Sequence, residues 1–330
     1  MPSVPTPQSP LSTPLSAEPE ACCMVVGKTV GDVYFTPIAK DLWSLFTMHG
    51  AGNSRFAPKL PNRMFAYRVR DASGKPSLVF LNVVWPDLTN DQPFAAMRAL
   101  SAELGAPIRL ILNPGPEHHL SLDKYAEAFP DVRICVAAGR LERENPALCA
   151  LDNVETMPVG DVLPELSRQG LHVHVWDGFM EGTFANKAQF RFGAKRGTSE
   201  PTVVWHEASG TFLNGGHGWF YWADGDKQPW LIRRLMKLRK GEVVWSPIHY
   251  AMHDSARCVE SARRILDWRF EHLLDLHAGA DKRIEGGAYE VAEALLRPMV
   301  EENWEALPFG VEDLEIPEGT VTGGGWKSYR

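Results

Sequence analysis

Histidine occurs in three turns rich in glycine and proline, each after a short apolar run of the chain. The turns read PGPEHH at 114–119, GGHG at 215–218 and LHAG at 276–279. Neutral imidazole is the commonest metal ligand and the usual proton carrier near neutral pH. Loops at one edge of a sheet can hold residues distant in sequence at fixed separations. The candidate catalytic or metal-binding residues are therefore His118, His119, His217 and His277.

The other histidines are interpreted as hydrogen-bonded structural residues. His172 and His174 alternate within an apolar run that predicts a strand, and His206 ends another such run. A serine or cysteine nucleophile has little support, because there is no G-x-S-x-G turn and Cys135 and Cys258 fall on predicted element faces. No phosphate-binding glycine motif is present.

The elements that must position these turns alternate between strands and helices. In the first half, strands at 77–84, 108–112 and 133–137 are separated by helices at 92–104 and 121–129. The second half repeats the theme with the strands 171–176, 202–206, 211–213 and 273–276 and helical stretches at 230–238, 255–268 and 288–304. Such alternation predicts a layered α/β protein, and the two similar halves suggest a sandwich of two sheets.

In this order the motifs resemble those of the metallo-β-lactamase fold superfamily, over roughly residues 33–304. In that family a strand ending in threonine is followed by His-x-His-x-Asp-His. Here His119 matches the last histidine of the motif and His118 stands where the aspartate belongs. Pro114 and Pro116 stand where the first two histidines belong. A metal site built from that first pair cannot exist here, because proline has no side-chain donor.

Two later motifs extend the resemblance. The strand at 211–213 leads to a turn in which His217 takes the position of the bridging aspartate, and His277 keeps the histidine of a Pro-Gly-His-Gly motif. After the strand at 171–176, Asp177 stands near the place of the remaining family histidine. The resemblance implies a four-layer αββα sandwich with ligands at one rim. It places the chain in a divergent branch whose metal-ligand set is eroded.

The resemblance leaves two functional hypotheses open. In the first, His118, His119, His217 and His277 hold one divalent ion, with zinc as the first choice and iron or manganese as others. His119, His217 and His277 would then be catalytic, and metal-bound water would attack an ester, lactone, amide or phosphoester. In the second, a metal-free member of the fold binds a small molecule or a partner at the rim. Tryptophans near the second turn could line its pocket: Trp205, Trp219, Trp222 and Trp230.

The order of the three turns predicts where these histidines lie relative to one another. His119, His217 and His277 are expected to converge at one rim. Adjacent residues leaving a strand point in different directions, so His118 is the one that could face the following helix instead.

Composition limits the partners and the setting. The 330 residues have a formal net charge of -7, which gives no basic surface for nucleic acid. No apolar run approaches the length of about 20 residues that a membrane helix needs. The 5 cysteines form no repeated C-x-x-C pair, which predicts a reducing, cytoplasmic setting. We expect a domain at 24–305 between a Pro/Ser-rich disordered tail at 1–23 and an extended tail at 306–330.

Overall fold

The fold is described from a computed structural model. It describes residues 23–24, 33–50, 59–84, 91–115, 118–119, 121–139, 141–142, 145–181, 197–214, 219–221, 243–245, 249–252, 255–277 and 284–301. His217 and the helical stretch predicted at 230–238 lie outside these ranges. Most of the predicted tails at 1–23 and 306–330 also lies outside these ranges, and the predicted domain limits of 24–305 therefore stay a prediction.

Among the described residues, the first sheet has eight strands. They are β1 (Cys23–Met24), β2 (Thr36–Ala39), β3 (Leu42–Gly50), β4 (Lys59–Arg70), β5 (Pro76–Leu81), β6 (Ile108–Leu112), β7 (Arg133–Ala137) and β8 (Val154–Met157). Their order is β1-β3-β4-β5-β6-β7-β8, with β2 paired to β3. The run from β5 to β8 is parallel. The carboxyl ends of these strands therefore meet at one edge, which we call the rim.

The second sheet has six strands within the part of the chain that the structure describes. They are β9 (Gly160–Val162), β10 (Leu171–Val175), β13 (Thr202–His206), β14 (Thr211–Asn214), β18 (His272–Asp275) and β19 (Ile284–Glu285), in the order β19-β18-β14-β13-β10-β9. Two small sheets stand apart. One joins β11 (Phe179–Glu181), β12 (Gly197–Ser199) and β17 (His249–Met252), and the other joins β15 (Trp219–Tyr221) and β16 (Val243–Trp245).

The described helices lie between or after these strands. They are α1 (Gln92–Leu104), α2 (Leu122–Ala128), α3 (Pro146–Cys149), α4 (Pro164–Ser167), α5 (Ser255–Leu266) and α6 (Ala288–Glu301). The limits of α1 agree with the predicted 92–104, because Pro93 suits the first turn and Gly105 ends the helix in the left-handed region at φ 56°. Within the described ranges, no helix is long and apolar enough to cross a membrane.

Three clusters of buried residues define four layers. Between the sheets, side chains such as Phe65 and Leu112 of the first sheet pack with Val204 and Leu274 of the second. The outer face of the first sheet packs on α1 and α2, and the outer face of the second packs on α5 and α6. The predicted αββα sandwich is therefore confirmed, since each sheet has one face on the other sheet and one on helices.

One predicted strand is shorter than its apolar run. The run at 77–84 was expected to be a single strand, yet β5 ends at Leu81. Asn82 adopts the left-handed conformation at φ 68°, which turns the chain out of the sheet. Val83 and Val84 remain buried after this turn, against α1 and α2.

Candidate functional site

The rim of the first sheet lies against an edge of the second sheet. The backbone N–H of Thr202, at the start of β13, donates a hydrogen bond of 2.8 Å to the carbonyl of Pro114, just after β6. The β6 strand is parallel to β5, and β14 is parallel to β18. Residues that follow β5, β6, β14 and β18 therefore leave their sheets on the same side of the sandwich, as the sequence motifs require.

The structure brings together His118 and His277, two of the four candidate residues. Their ring centroids are 5.3 Å apart and the ring planes are tilted by 36°. Both residues are half-buried. His118 therefore lies beside His277 and faces the rim rather than the following helix.

Two buried polar residues support this pair. The side-chain oxygen Oδ1 of Asn82 lies 3.0 Å from Nδ1 of His118. The carboxylate oxygen Oδ1 of Asp275 accepts a hydrogen bond of 2.7 Å from the backbone N–H of His277. Both supporting residues are at most 1% exposed. Asn82 thus limits the movement of the His118 ring, and Asp275 fixes the backbone of His277, through groups that solvent does not reach.

The other two candidates are less fully placed. His119 is half-buried, and its carbonyl accepts a hydrogen bond of 3.1 Å from the N–H of Leu122 at the first turn of α2. The predicted convergence of His119 with His277 stays a prediction. His217 lies outside the described residues, and so its predicted place at the rim is untested.

The spacing of the pair fits one shared metal ion. Two imidazoles bound to one tetrahedral zinc ion, with Zn–N distances of about 2.0–2.1 Å, have ring centres about 5 Å apart. The observed centroid separation of 5.3 Å agrees with that value. Among the residues that the structure describes, no group of three or more His, Cys, Asp or Glu side chains is placed to hold an ion. The described donors therefore do not by themselves complete a coordination shell.

Sequence reasoning missed Asn82 and Asp275. Each is a polar residue within a largely apolar run, 77–84 for the first and 273–276 for the second. A polar side chain in such a run must find hydrogen-bond partners once it is buried. This requirement was the signal in the sequence that could have identified both residues.

The structural interpretation of three other histidines is confirmed. His172 lies 2.6 Å from Glu207, His174 lies 2.8 Å from Asp161, and His206 is 2.8 Å from the hydroxyl of Ser209. Burial lowers the pKa of His174, against the opposing effect of the Asp161 carboxylate. Burial also lowers the pKa of His206, to about 4. These two imidazoles are thus held neutral near pH 7, inside the fold.

A cleft with charged walls lies between α5 and the β9–β10 edge, with a cavity volume of about 610 Å³. Ion pairs cross it. Arg257 on α5 contacts Asp177 at 3.0 Å, and Arg264 contacts Asp161 at 2.7 Å. Asp177, which stands near the place of a missing family histidine, therefore binds α5 through its carboxylate. These pairs help to fix α5 to the outer face of the second sheet.

No protein-family model matches the chain, and no curated protein matches it. Among solved structures it is similar to the DIM-1 metallo-β-lactamase exposed to ceftazidime, at 10% identity and a TM-score of 0.49, over 82% of this chain and 99% of that one. The mono-zinc form of FIM-1 from Pseudomonas aeruginosa is 15% identical, with a TM-score of 0.47, over 82% and 96% of the two chains. A metallo-β-lactamase from Hirschia baltica is 12% identical, with a TM-score of 0.47, over 81% and 97%.

These likenesses concern shape alone. The fold itself rests on the two packed sheets, their strand order and the helices outside them. That architecture is an αββα sandwich, the fold that the resemblance of the histidine motifs implies.

Proposed function

We propose that the chain is a hydrolase that uses one divalent metal ion, bound by histidine at the rim. The substrate would be a small molecule with an ester, lactone, amide or phosphoester bond. The observation that carries this proposal is the His118–His277 pair, whose ring separation of 5.3 Å fits one shared ion. His119 and His217 are the further proposed ligands, and a cytoplasmic setting belongs to the same proposal.

The chain's own residues have separate tasks in this proposal. His118 and His277 hold the ion, which when bound lowers the pKa of a water ligand and polarises the scissile bond. Asn82 holds the ring of His118, and Asp275 holds the backbone of His277. Partners of this kind contribute much of the affinity of a metal site, because they orient the ligands before the ion binds.

Metal titration of the purified chain tests this proposal. We expect about one equivalent of Zn²⁺, Fe²⁺ or Mn²⁺ to bind, and His118→Ala and His277→Ala each to abolish stoichiometric binding. His172→Ala is the matched control, because His172 belongs to β10 and contacts Glu207 instead. A wild-type chain that takes up no ion under these conditions would refute the metal-dependent hydrolase.

A metal-free binding function is the second candidate. The observation that favours it is that the described part of the chain offers no third donor placed beside His118 and His277. In this case a small molecule would bind at the rim in the presence of a chelator, and its stabilising effect would be lost in His277→Ala. Ligands that act only after metal is added would instead favour the hydrolase.

A further inference from the structure

Asn82 lies between the first sheet and the histidine pair, with every polar atom of its side chain engaged. Its Nδ2 donates to Oδ1 of Asn62 at 2.7 Å and to the carbonyl of Arg63 at 2.6 Å. Its Oδ1 faces Nδ1 of His118 at 3.0 Å. The residue is fully buried, so water does not substitute for any of these partners.

These partners leave one orientation for the Asn82 amide. The carbonyl of Arg63 can only accept a hydrogen bond, and so the atom facing it must be the NH2 group. Asn62 agrees, because its own Nδ2 donates to the carbonyl of Val83 at 3.3 Å and its Oδ1 is thus left to accept. The atom that Asn82 presents to His118 is therefore the carbonyl oxygen, which cannot donate.

This orientation decides which nitrogen of His118 carries the proton. A hydrogen bond to an acceptor oxygen requires N–H at Nδ1, and a neutral imidazole has only one N–H. We infer that Asn82 is a positioning residue that holds neutral His118 in its Nδ1-protonated tautomer and so makes Nε2 the atom that meets a metal ion or a proton. The inference deepens the proposed function, and its relevance to metal binding rests on that proposal.

The backbone of Asn82 explains why this residue type suits the position. At φ 68° the residue is in the left-handed region, which asparagine tolerates better than most residues with a side chain. Aspartate tolerates this conformation too, but a carboxylate has no donor for the Arg63 carbonyl or for Asn62 Oδ1. Asparagine thus combines the turn that ends β5 with one acceptor and two donors in the directions that the neighbours require.

The tautomer can be measured directly. Nitrogen-15 NMR distinguishes protonated from unprotonated imidazole nitrogens. We would record it on the metal-free full chain at about pH 8, where an ordinary histidine is neutral. Loss of signals in His118→Gln assigns the ring. We expect a protonated Nδ1 and an unprotonated Nε2, whereas a protonated Nε2 in the wild-type chain would overturn the inference, whatever metal the chain binds.

Asn82→Gly tests whether Asn82 is the cause. Glycine keeps the left-handed turn and deletes the amide, so we expect a mixture of both tautomers and a Zn²⁺ affinity about 10–100-fold lower. Asp91→Gly is the control, because exposed Asp91 is also left-handed, at φ 59°, and lies at the start of α1. An unchanged tautomer in Asn82→Gly would overturn the role of Asn82.

The outcomes separate this inference from the proposed function. If the wild-type chain shows the expected tautomer but binds no ion, the positioning role stands and the metal-dependent hydrolase fails. If Asn82→Gly does not fold, the wild-type spectrum still decides the tautomer.

Discussion

Acidification should destabilise the fold through His206, at the end of β13. This residue is 1% exposed, its Nδ1 is 2.8 Å from the hydroxyl of Ser209, and its ring packs edge-on to Tyr67 at 5.3 Å between centroids. Burial lowers its pKa from 6.5 to about 4, and the charges of Asp41 and Glu207 oppose this shift only in part. The folded state therefore resists protonation of an imidazole that the unfolded chain protonates readily.

The sign and size follow from linkage. The folded pKa is below the unfolded one, so the unfolded chain binds more protons between pH 6.5 and 4, and stability falls as the pH falls through that window. The stability that neutral His206 contributes to the fold is fully present above about pH 6.5. At about 1.4 kcal/mol per pKa unit, the loss is about 2 kcal/mol at pH 5 and about 3 kcal/mol at pH 4.

A matched variant isolates this effect from every other titrating group. His206→Gln keeps a polar side chain and cannot take up the proton. The free energy of unfolding would be measured by urea denaturation, followed by tryptophan fluorescence, for both chains at pH 7 and pH 5. We expect the stability of the wild-type chain relative to the variant to fall by about 2 kcal/mol between the two pH values. A difference that stays constant with pH would refute the buried neutral state of His206.

Two further substitutions test the packing near the rim. Gly139→Ala should destabilise the chain by about 2 kcal/mol or more, because Gly139 has φ 105° and a Cβ there would lie 2.6 Å from Oε1 of Glu200. Gly74→Ala, at φ 81° with open space around it, should show only the smaller backbone cost in the same urea titration. Tyr125→Phe should cost about 1 kcal/mol, because it removes a buried hydrogen bond of 2.8 Å to the carbonyl of Val84, and a thermal melt that shows no loss would contradict this account.

Local pattern was sufficient to predict seven of the described strands and four of the described helices. Strands β6, β7 and β13 have the limits that their apolar runs predict, and α1 ends at Gly105 as expected. The layered α/β class follows from the alternation of such elements, since each apolar face must be covered by another. These features depend on residues close in sequence, which is why one chain without its structure reveals them.

The arrangement of the site depended on the tertiary structure. The sequence indicated that His118 and His277 both lie in strand-end turns, but only the packing of the first sheet on the second brings their rings together. In an irregular turn the direction of a side chain depends on individual backbone angles rather than on a period. For that reason the proximity of His118 to His277 could not be predicted from spacing.

The role of Asn82 shows the same division. Its presence in the apolar run at 77–84 is plain in the sequence. Its three partners lie on β4 and in the turn after β6, which are far away along the chain. Local sequence thus predicted individual strands and helices, whereas hydrogen bonds between distant segments decided that Asn82 supports His118, because those bonds form only once β4, β5 and the turn after β6 have come together.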